Sequence, residues 1–350
     1  MKVPFSAGIA VLVAVAVVAG GWSVRPRALD LESAQTGDAK LQSYIDQHYD
    51  GPGHRLEVVV VGDNQMTFAG RGANEHSTFE IGSISKALTG LLLADSVRRG
   101  EVKLEDQVGT LLPLGDSEAA TATLEDLATH YSGLPRTSTK PVDVARSLLT
   151  SLNAGNPYPY NVDELISQAQ ADAGGRGEPA YSNVGGALLG QALARKAGKS
   201  YPDLLRERIL QPLDMQETRV PTTAQDAAPD GYSSGGRKEA PWIQDGYAPA
   251  GGVVSSAGDL SLLVQSLLRG NGVDALAPKR NFEEGDRIGL FWLTSPLPGT
   301  DRKMVWHNGG TAGYRSFVGL DLEKKRAVVV LSDVAADVDD FATQLLAAQG

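Results

Sequence analysis

The chain has 350 residues, of which 42% are hydrophobic and 21% are charged, a composition typical of a globular protein with a sizeable core. Its formal net charge of −10 argues against a general nucleic-acid-binding protein, which would be basic. It contains no cysteine, so disulfides, thiol nucleophiles and cysteine-ligated metals are excluded, and none of its 5 histidines forms the His-x-x-x-His pair of a helical zinc site.

Residues 3–22 form an uncharged, largely apolar run that follows Lys2 and precedes Arg25 and Arg27. This pattern is typical of a secretory signal peptide, and a run of about 20 residues is also long enough to span a bilayer. No small-x-small cleavage site stands out near its end, so residues 1–27 are predicted to be either a cleaved signal peptide or a retained membrane anchor. Both alternatives predict an exported protein that is periplasmic, secreted or held at the cell surface by residues 3–22.

The first elements after the N-terminal segment predict part of a sheet. Residues 28–40 are polar and predict a linker, and residues 41–49 have the apolar spacing of a short amphipathic helix. Residues 56–61 are a mainly apolar, β-branched run that ends at Gly62-Asp63-Asn64, which predicts a buried strand and a turn. Strands over residues 65–72 and 78–81 are expected to follow, and the second of them leads into a long helix near Ser83.

Helical patterns dominate residues 101–244. Thr123 and Asp126 form a predicted capping box at the start of one helix. Further helices are predicted over residues 142–152, 162–173, 184–197 and 202–209. The stretch 221–241 is polar and rich in turn-forming residues.

The C-terminal part returns to strands. A helix over residues 260–268 precedes strands predicted over residues 287–294, 303–307, 316–322 and 326–331, and a closing helix follows. The predicted fold class is therefore α/β of the α+β type. It consists of an antiparallel sheet flanked by helices, built from residues of about 41–100 and 245–350, with an inserted all-helical domain at about 101–244.

Ser83 and Lys86 are separated by one helical turn at the start of an apolar helix pattern. A lysine on the same face can take the serine hydroxyl proton, and free N–H groups at a helix start can bind the negative charge of an acylation intermediate. About one such spacing is expected by chance in a chain of this composition, and a helix cap with a solvated lysine is the alternative interpretation. Two further motifs favour the catalytic interpretation, Tyr181-Ser182-Asn183 and His307-Asn308-Gly309.

The three motifs, in this order, resemble those of the penicillin-recognising serine hydrolases of the class C β-lactamase type. This group includes D-Ala-D-Ala carboxypeptidases, class C β-lactamases, D-amino-acid peptidases and family VIII carboxylesterases. The resemblance extends from about Leu56 to the C-terminal helix, and four flanking stretches support it, residues 129–135, 185–190, 209–215 and 248–253. It implies a β-lactamase/transpeptidase-like fold and no metal or organic cofactor.

The resemblance implies a role for each catalytic motif residue. Ser83 would be the nucleophile, and Lys86 would activate it or relay its proton. Tyr181 would share the general-base work, and Asn183 would bond Lys86 and the substrate amide. The backbone N–H groups of Ser83 and Gly310 would form the oxyanion hole. Whether Lys86 or Tyr181 takes the proton first is left open by the sequence. A neighbouring cation is expected to lower the pKa of Tyr181, and burial is expected to lower that of Lys86.

The third motif departs from the Lys-Thr-Gly of class C β-lactamases, because His307 replaces the lysine. His307 is predicted to be a catalytic residue on the strand that lines the cleft, and Asn308 and Gly309 are predicted to bind the substrate. A histidine binds a substrate carboxylate through charge only when it is protonated, so Arg315 is the predicted anion anchor. Further candidates on the substrate side are Tyr158, Tyr160, Trp292 and Tyr314.

Two other features are interpreted without a catalytic role. His130 lies at a helix end before a turn and is predicted to be structural. The sequence Gly231-Tyr232-Ser233-Ser234-Gly235 matches the G-x-S-x-G pattern of other hydrolases, but it lacks the preceding strand and following helix that such a nucleophile needs.

Three functions are compatible with these features. The first is an exported serine hydrolase acting through an acyl-enzyme on D-Ala-D-Ala-type peptides, as carboxypeptidase or endopeptidase, or with β-lactamase-related activity. The second is a carboxylesterase, and the third is a non-catalytic cell-wall-binding protein. The predicted partners are a small peptide, β-lactam or ester substrate, peptidoglycan, and the membrane through the N-terminal segment, without nucleic acid. The oligomeric state is left open.

Overall fold

The computed structural model describes residues 27–62, 65–171 and 174–349. The signal peptide or membrane anchor predicted for residues 1–27 therefore lies outside the described residues, except for Arg27. Within these ranges, no helix is both long enough and apolar enough to cross a membrane.

Across the described ranges, a nine-stranded antiparallel sheet is the largest element of the fold. Its strands, in spatial order, are β1 (Gln35–Gly37), β3 (Gln65–Arg71), β2 (Leu56–Gly62), β13 (Arg326–Ser332), β12 (Arg315–Asp321), β11 (Lys303–Gly310), β10 (Leu293–Pro296), β9 (Arg287–Ile288) and β8 (Arg280–Asn281). Strands from the two ends of the chain meet where β2 pairs with β13, with Val59 opposite Val329. The predicted antiparallel sheet of the α+β class is confirmed.

Both faces of the central strands are buried, which explains why their sequence is apolar at nearly every position. In β2, Val58 belongs to the smaller core cluster, whereas Val59 belongs to the larger one on the opposite face. The helices α1 (Ala39–His48) and α11 (Asp339–Ala347) pack over the first face. The helices α2 (Ile84–Arg98) and α9 (Ala257–Leu268) pack over the second.

The remaining helices lie mainly between residues 101 and 251. They are α3 (Leu124–Ala128), α4 (Pro141–Leu152), α5 (Val162–Ala171), α6 (Asn183–Ala197), α7 (Tyr201–Leu205), α8 (Ala248–Gly251) and α10 (Val273–Leu276). A π turn (Arg206–Leu210) and short 3-10 turns (Val108–Thr110, Glu118–Thr121, Gln211–Leu213 and Glu283–Gly285) complete the helical elements. The capping box of Thr123 and Asp126 forms at the start of α3. The domain boundaries at residues 101 and 244 stay a prediction.

Two short sheets lie outside the nine-stranded sheet. The strand β4 (Thr78–Glu80) pairs with β7 (Val254–Ser256). The strand β5 (Gly231–Ser233) pairs with β6 (Lys238–Glu239) and in parallel with β14 (Val334–Ala335). The first of these pairs holds the residues before Ser83 against those that follow α8.

The strand predicted over residues 287–294 is divided in the structure. Residues 289–292 form a turn between β9 and β10, in which the Gly289 N–H donates to the Trp292 carbonyl at 2.8 Å. Phe291 has a φ of 64° and is fully buried, and its N–H donates to the Ala128 carbonyl. The turn is stabilised by contacts with distant elements, which the local apolar pattern cannot indicate.

Candidate active site

Ser83 lies at the N-terminus of α2, with helical backbone angles of φ −67° and ψ −8°. The first backbone bonds of this turn run from the Ile84 N–H to the Ile81 carbonyl and from the Lys86 N–H to the Ser83 carbonyl. The Ser83 N–H lies just before these donors in the chain, at the helix start, where backbone N–H groups have no acceptor within the helix. The serine thus combines a hydroxyl and a backbone donor at one helix start.

The Lys86 Nζ atom is surrounded by three oxygen atoms. It lies 3.1 Å from Ser83 Oγ, 2.7 Å from Asn183 Oδ1 and 2.7 Å from the Ala250 carbonyl oxygen. Its side chain is fully buried, and this burial, with the charge of Arg136, holds the pKa of Lys86 well below its usual value. A neutral amine has two N–H donors and one lone pair. Because the amide and carbonyl oxygens can only accept, the lone pair is left for the Ser83 hydroxyl.

Asn183 is held in one orientation by both ends of its amide. The Oδ1 atom accepts from Lys86, and the Nδ2 group donates to the Tyr158 hydroxyl at 3.0 Å. Asn183 begins α6, whose preceding residue Ser182 caps the helix by accepting from the Gly185 N–H. The second motif therefore reaches Lys86 because a capped helix start is packed against α2.

Tyr181 lies beside the nucleophile, and an interaction with the Ser83 side chain acts to lower the pKa of the Tyr181 hydroxyl. The centre of its ring lies 4.9 Å from Lys86 Nζ and 5.0 Å from the Arg136 guanidinium carbon. Burial nevertheless raises the pKa of Tyr181 to about 12, although the Ser83 interaction and Arg136 lower it. The expectation of a lowered tyrosine pKa is therefore wrong, because lost hydration of the phenolate outweighs the nearby positive charge. Tyr181 is neutral and can relay a proton.

The end of β11 approaches the backbone before Ser83. A Cβ atom built on Gly82, whose φ is +48°, would lie only 2.5 Å from the Gly310 nitrogen. The Thr311 N–H donates to the Tyr314 carbonyl, so the alternation of an antiparallel ladder turns the Gly310 N–H away from β12. The neighbouring strand β10 pairs with β11 only as far as Trp306. The N–H groups of Ser83 and Gly310 therefore border one open space.

The third motif occupies the free edge of β11. His307 is buried, and its Nδ1 lies 2.6 Å from the Asn308 carbonyl oxygen, which can only accept, so Nδ1 carries the proton. Burial lowers the pKa of His307 to about 4. His307 is therefore neutral near pH 7. The Asn308 amide donates to Asp339 on α11, and the Gly309 backbone packs against that of Ile81.

These residues line an open cleft with a volume of about 640 Å³. The cleft also contains two arginines, Arg315 on the sheet side and Arg136 on the helical side. The Nη1 group of Arg315 donates to the Thr311 and Tyr314 carbonyls at 3.0 and 2.9 Å. The Arg136 side chain is exposed and stacks on Tyr181, and within the described part of the chain no acidic side chain pairs with it.

Arg136 was missed by the sequence analysis. The available signal was its position directly after the Ser132–Pro135 turn, which belongs to a flanking stretch of the resemblance. The structure ties this turn to the second motif, because the Ser182 hydroxyl donates to the Pro135 carbonyl and the Asn183 N–H to the Arg136 carbonyl.

The other sequence candidates divide between cleft and core. Tyr158 lines the cleft, together with Trp242 and Gln244, which follow the turn-rich stretch. Three aromatic candidates are instead buried outside it, Tyr160, Trp292 and Tyr314. His130 is also buried, and its Nδ1 accepts from the Ser182 N–H at 3.1 Å, which agrees with a structural role. Ser233 lies on β5 and its hydroxyl accepts from the Arg237 N–H.

Comparison with known proteins assigns the chain to a family. Residues 13–349 match the family described as "Beta-lactamase". The chain belongs to the β-lactamase family. This membership and the fold show a serine hydrolase, and they confirm the resemblance.

Individual relatives carry different names. The chain is 27% identical to a protein named "Beta-lactamase" of Escherichia coli (strain K12), over 74% of this chain and 76% of that protein. It is 25% identical to the D-alanyl-D-alanine-carboxypeptidase/endopeptidase AmpH of the same organism, over 87% and 88%. The penicillin-binding protein homologue of Pyrococcus abyssi superimposes with a TM-score of 0.75 at 21% identity, over 89% of this chain and 76% of that one.

Proposed function

We propose that the protein is an exported serine hydrolase that cleaves D-Ala-D-Ala-type peptides through an acyl-enzyme on Ser83. The observation that carries this proposal is the environment of Lys86, a fully buried amine 3.1 Å from Ser83 Oγ. A solvated lysine beside a helix cap would keep its proton, whereas this amine is placed to accept one.

The geometry supports the following acylation step. Lys86 takes the Ser83 proton as Oγ forms a bond to the substrate carbonyl carbon. The N–H groups of Ser83 and Gly310 receive the negative charge that develops on the carbonyl oxygen. The neutral Tyr181 hydroxyl passes a proton to the leaving amine and regains one from Lys86. A water molecule then cleaves the ester by the same route in reverse.

A peptide substrate fits the free edge of β11. Beyond Trp306 this edge has no partner strand in the described structure, so an extended peptide can bond to its backbone groups. The relative named as a D-alanyl-D-alanine-carboxypeptidase/endopeptidase supports the same substrate class. The apolar segment at residues 3–22 supports an exported location, where peptidoglycan is found.

We further propose that Arg136 binds an anionic group of the substrate. Arg315 shares its Nη1 donor between two carbonyls, and burial lowers its pKa. Arg136 instead presents an exposed guanidinium beside Tyr181. His307, which is neutral, adds no charge. Arg136 is therefore the cation best placed to bind a carboxylate.

A carboxylesterase is the second candidate, and the neutral His307 favours it. An ester without a carboxylate needs no cation on β11, and burial holds the pKa of His307 near 4. The two candidates share the acylation step and differ in whether charge on the substrate increases the rate.

A fluorescent penicillin, followed by peptide mapping, tests the acyl-enzyme. The wild type is expected to be labelled at Ser83 and Ser83→Ala is expected to remain unlabelled, whereas Ser233→Ala, which removes the other candidate serine, should be labelled like the wild type. Release of D-Ala from a D-Ala-D-Ala peptide is then compared with hydrolysis of nitrocefin and of p-nitrophenyl esters. Faster ester hydrolysis with no D-Ala release would support the esterase, and no labelling by penicillin or a fluorophosphonate would support the non-catalytic alternative.

A further inference from the structure

The helix α4 presents its apolar side to solvent. None of its 12 residues is buried, and Val142, Val144, Leu148, Leu149 and Leu152 are between 51% and 72% exposed. At 100° per residue, these five side chains occupy one side of the helix. Outside α4, the described residues contain only two other large hydrophobic side chains that are exposed, Val273 and Leu322. The five residues, called here the α4 stripe, are therefore a concentrated patch and not the scattered exposure of an ordinary surface.

The opposite side of α4 is bound to the protein by polar contacts. Arg146 donates to Glu164 at 2.8 Å, and the Ser147 hydroxyl donates to the Pro157 carbonyl at 2.7 Å. The Tyr160 hydroxyl donates to the Asp143 carbonyl at 2.9 Å. Turning the α4 stripe inward would break these bonds, so the polar contacts hold the stripe toward solvent.

The chain enters the described structure beside the end of α4. A Cβ atom on Gly236 would lie 1.8 Å from the Arg27 carbonyl oxygen, so the two backbones are in contact. The next residue, Arg237, donates to the carbonyl of Ser151 in the last turn of α4 at 3.4 Å. The N-terminal segment therefore joins the protein next to the α4 stripe.

The linker between the apolar segment and this point is short. Residues 3–22 are uncharged and largely apolar, and the five residues from there to Arg27 span at most about 18 Å. A helix of 12 residues is also about 18 Å long. If residues 3–22 remain in a bilayer, the end of α4 is held within one helix length of its surface. Arg27 adds positive charge at the same place, which attracts anionic lipid headgroups.

We propose that the α4 stripe docks into the interface of the bilayer that holds residues 3–22. An amphipathic helix that lies in a membrane plane places its apolar side among the acyl chains in this way. The proposal depends on retention of the N-terminal segment and is independent of the hydrolase activity. It has a consequence for the site, because Pro157, which binds α4, is followed by Tyr158 in the cleft wall. Docking would hold the cleft at a fixed distance from the membrane.

Site-directed fluorescence can test the docking, because the chain contains no cysteine. Leu149→Cys is labelled with an environment-sensitive fluorophore in the full chain, reconstituted in vesicles of phosphatidylethanolamine and phosphatidylglycerol. The matched control is Lys324→Cys, at an exposed turn between β12 and β13. Brominated acyl chains are expected to quench the label at 149 at least several-fold more than the label at 324. Aqueous iodide should quench the label at 324 more strongly. Circular dichroism and the thermal unfolding midpoint, compared with those of the unlabelled wild type, verify that each variant is folded.

Three results would overturn the proposal. Equal iodide quenching at both positions would show that the α4 stripe faces water. Protection from both iodide and brominated lipid would show that residues 3–22 or a second copy of the chain covers it instead. Cleavage before Arg27, detected by mass spectrometry of protein from the native membrane fraction, would remove the anchor on which docking depends.

Discussion

Replacing Arg136 by glutamine removes the exposed cation of the cleft and leaves the Ser83 and Lys86 contacts in place. Two separate effects are expected, because the guanidinium acts on the substrate and on Lys86. A carboxylate substrate loses its charged partner. Lys86 loses a positive neighbour, and since that neighbour lowers the pKa of Lys86, the pKa is expected to rise.

The size of the first effect follows from the exposure of Arg136. Hydrogen bonds to charged groups contribute about 1.5–3 kcal/mol, but fully exposed ion pairs contribute only about 0.2–1 kcal/mol. A cation at a cleft mouth that is partly covered by bound substrate lies between these limits, at about 1–2 kcal/mol. Arg136→Gln is therefore expected to lower kcat/KM for a carboxylate-bearing peptide roughly 5- to 30-fold.

The second effect appears in the pH dependence. The reaction needs neutral Lys86, so the rate falls as the pH drops through the lowered pKa of this amine. With Arg136 removed, the pKa of Lys86 rises and the acid limb of the kcat/KM profile moves to higher pH.

Steady-state kinetics against pH measures both effects, with a carboxylate-bearing peptide and an uncharged p-nitrophenyl ester as paired substrates. Arg136→Lys, which keeps the charge, is the matched control and should retain most of the peptide activity and the position of the acid limb. An equal loss on both substrates, with an unmoved acid limb, would refute the assignment of Arg136 as an anion anchor.

Three further predictions concern other parts of the structure. Gly82→Ala is expected to reduce the rate of penicillin labelling at least 100-fold, because its Cβ would lie 2.5 Å from the Gly310 nitrogen. Gly270→Ala is the control, because Gly270 also has a positive φ but no atom lies within 4 Å of its Cβ position. This control should lower stability by only about 1 kcal/mol and leave labelling unchanged. His307 has a pKa near 4 and therefore stays neutral between pH 8 and pH 6. The KM of a carboxylate substrate should then follow the same pH curve in the wild type and in His307→Gln. An inflection near pH 6.5 in the wild type alone would contradict this. Glu57 is fully buried, and neither of its carboxylate oxygens is hydrogen-bonded to any described residue. Burial raises the pKa of Glu57 from about 4.5 to about 8. The neutral carboxyl therefore contributes stability below pH 4.5, and this contribution is lost as the pH rises to 8. The stability gain of Glu57→Gln, measured by denaturant unfolding, should therefore grow by roughly 3–4 kcal/mol from pH 5 to pH 9, and a constant difference would show that Glu57 is ionised in the folded state.

Local spacing and the order of the motifs were sufficient to predict which motif residues form the candidate site. Ser83 and Lys86 are one turn apart, so their contact depends only on helix geometry and the sequence predicts it. The approach of Tyr181 and Gly310 to this turn depends on packing between distant elements. It was predicted only through the family resemblance, and their catalytic roles stay predictions.

Protonation was predicted correctly for Lys86, whose pKa burial lowers, but not for Tyr181. The sequence suggested that a nearby cation would lower the pKa of Tyr181, but burial raises it to about 12. A pKa depends on the competition between lost hydration and neighbouring charge, and both terms are set by packing. Arg136 illustrates the same limit, because its position in the cleft became apparent only from its contact with the Tyr181 ring.

The sequence by itself identified the family, most of the helices and strands, and the one-turn spacing of Ser83 and Lys86, because motif spacing and apolar periodicity are local properties. It also predicted the helix over residues 142–152. The tertiary structure alone decided that the apolar side of this helix faces solvent, since the direction of an amphipathic helix depends on the contacts made by its polar side. In the same way, the packed structure buries Lys86 beside the serine and lowers its pKa, where sequence spacing alone left open a solvated cation.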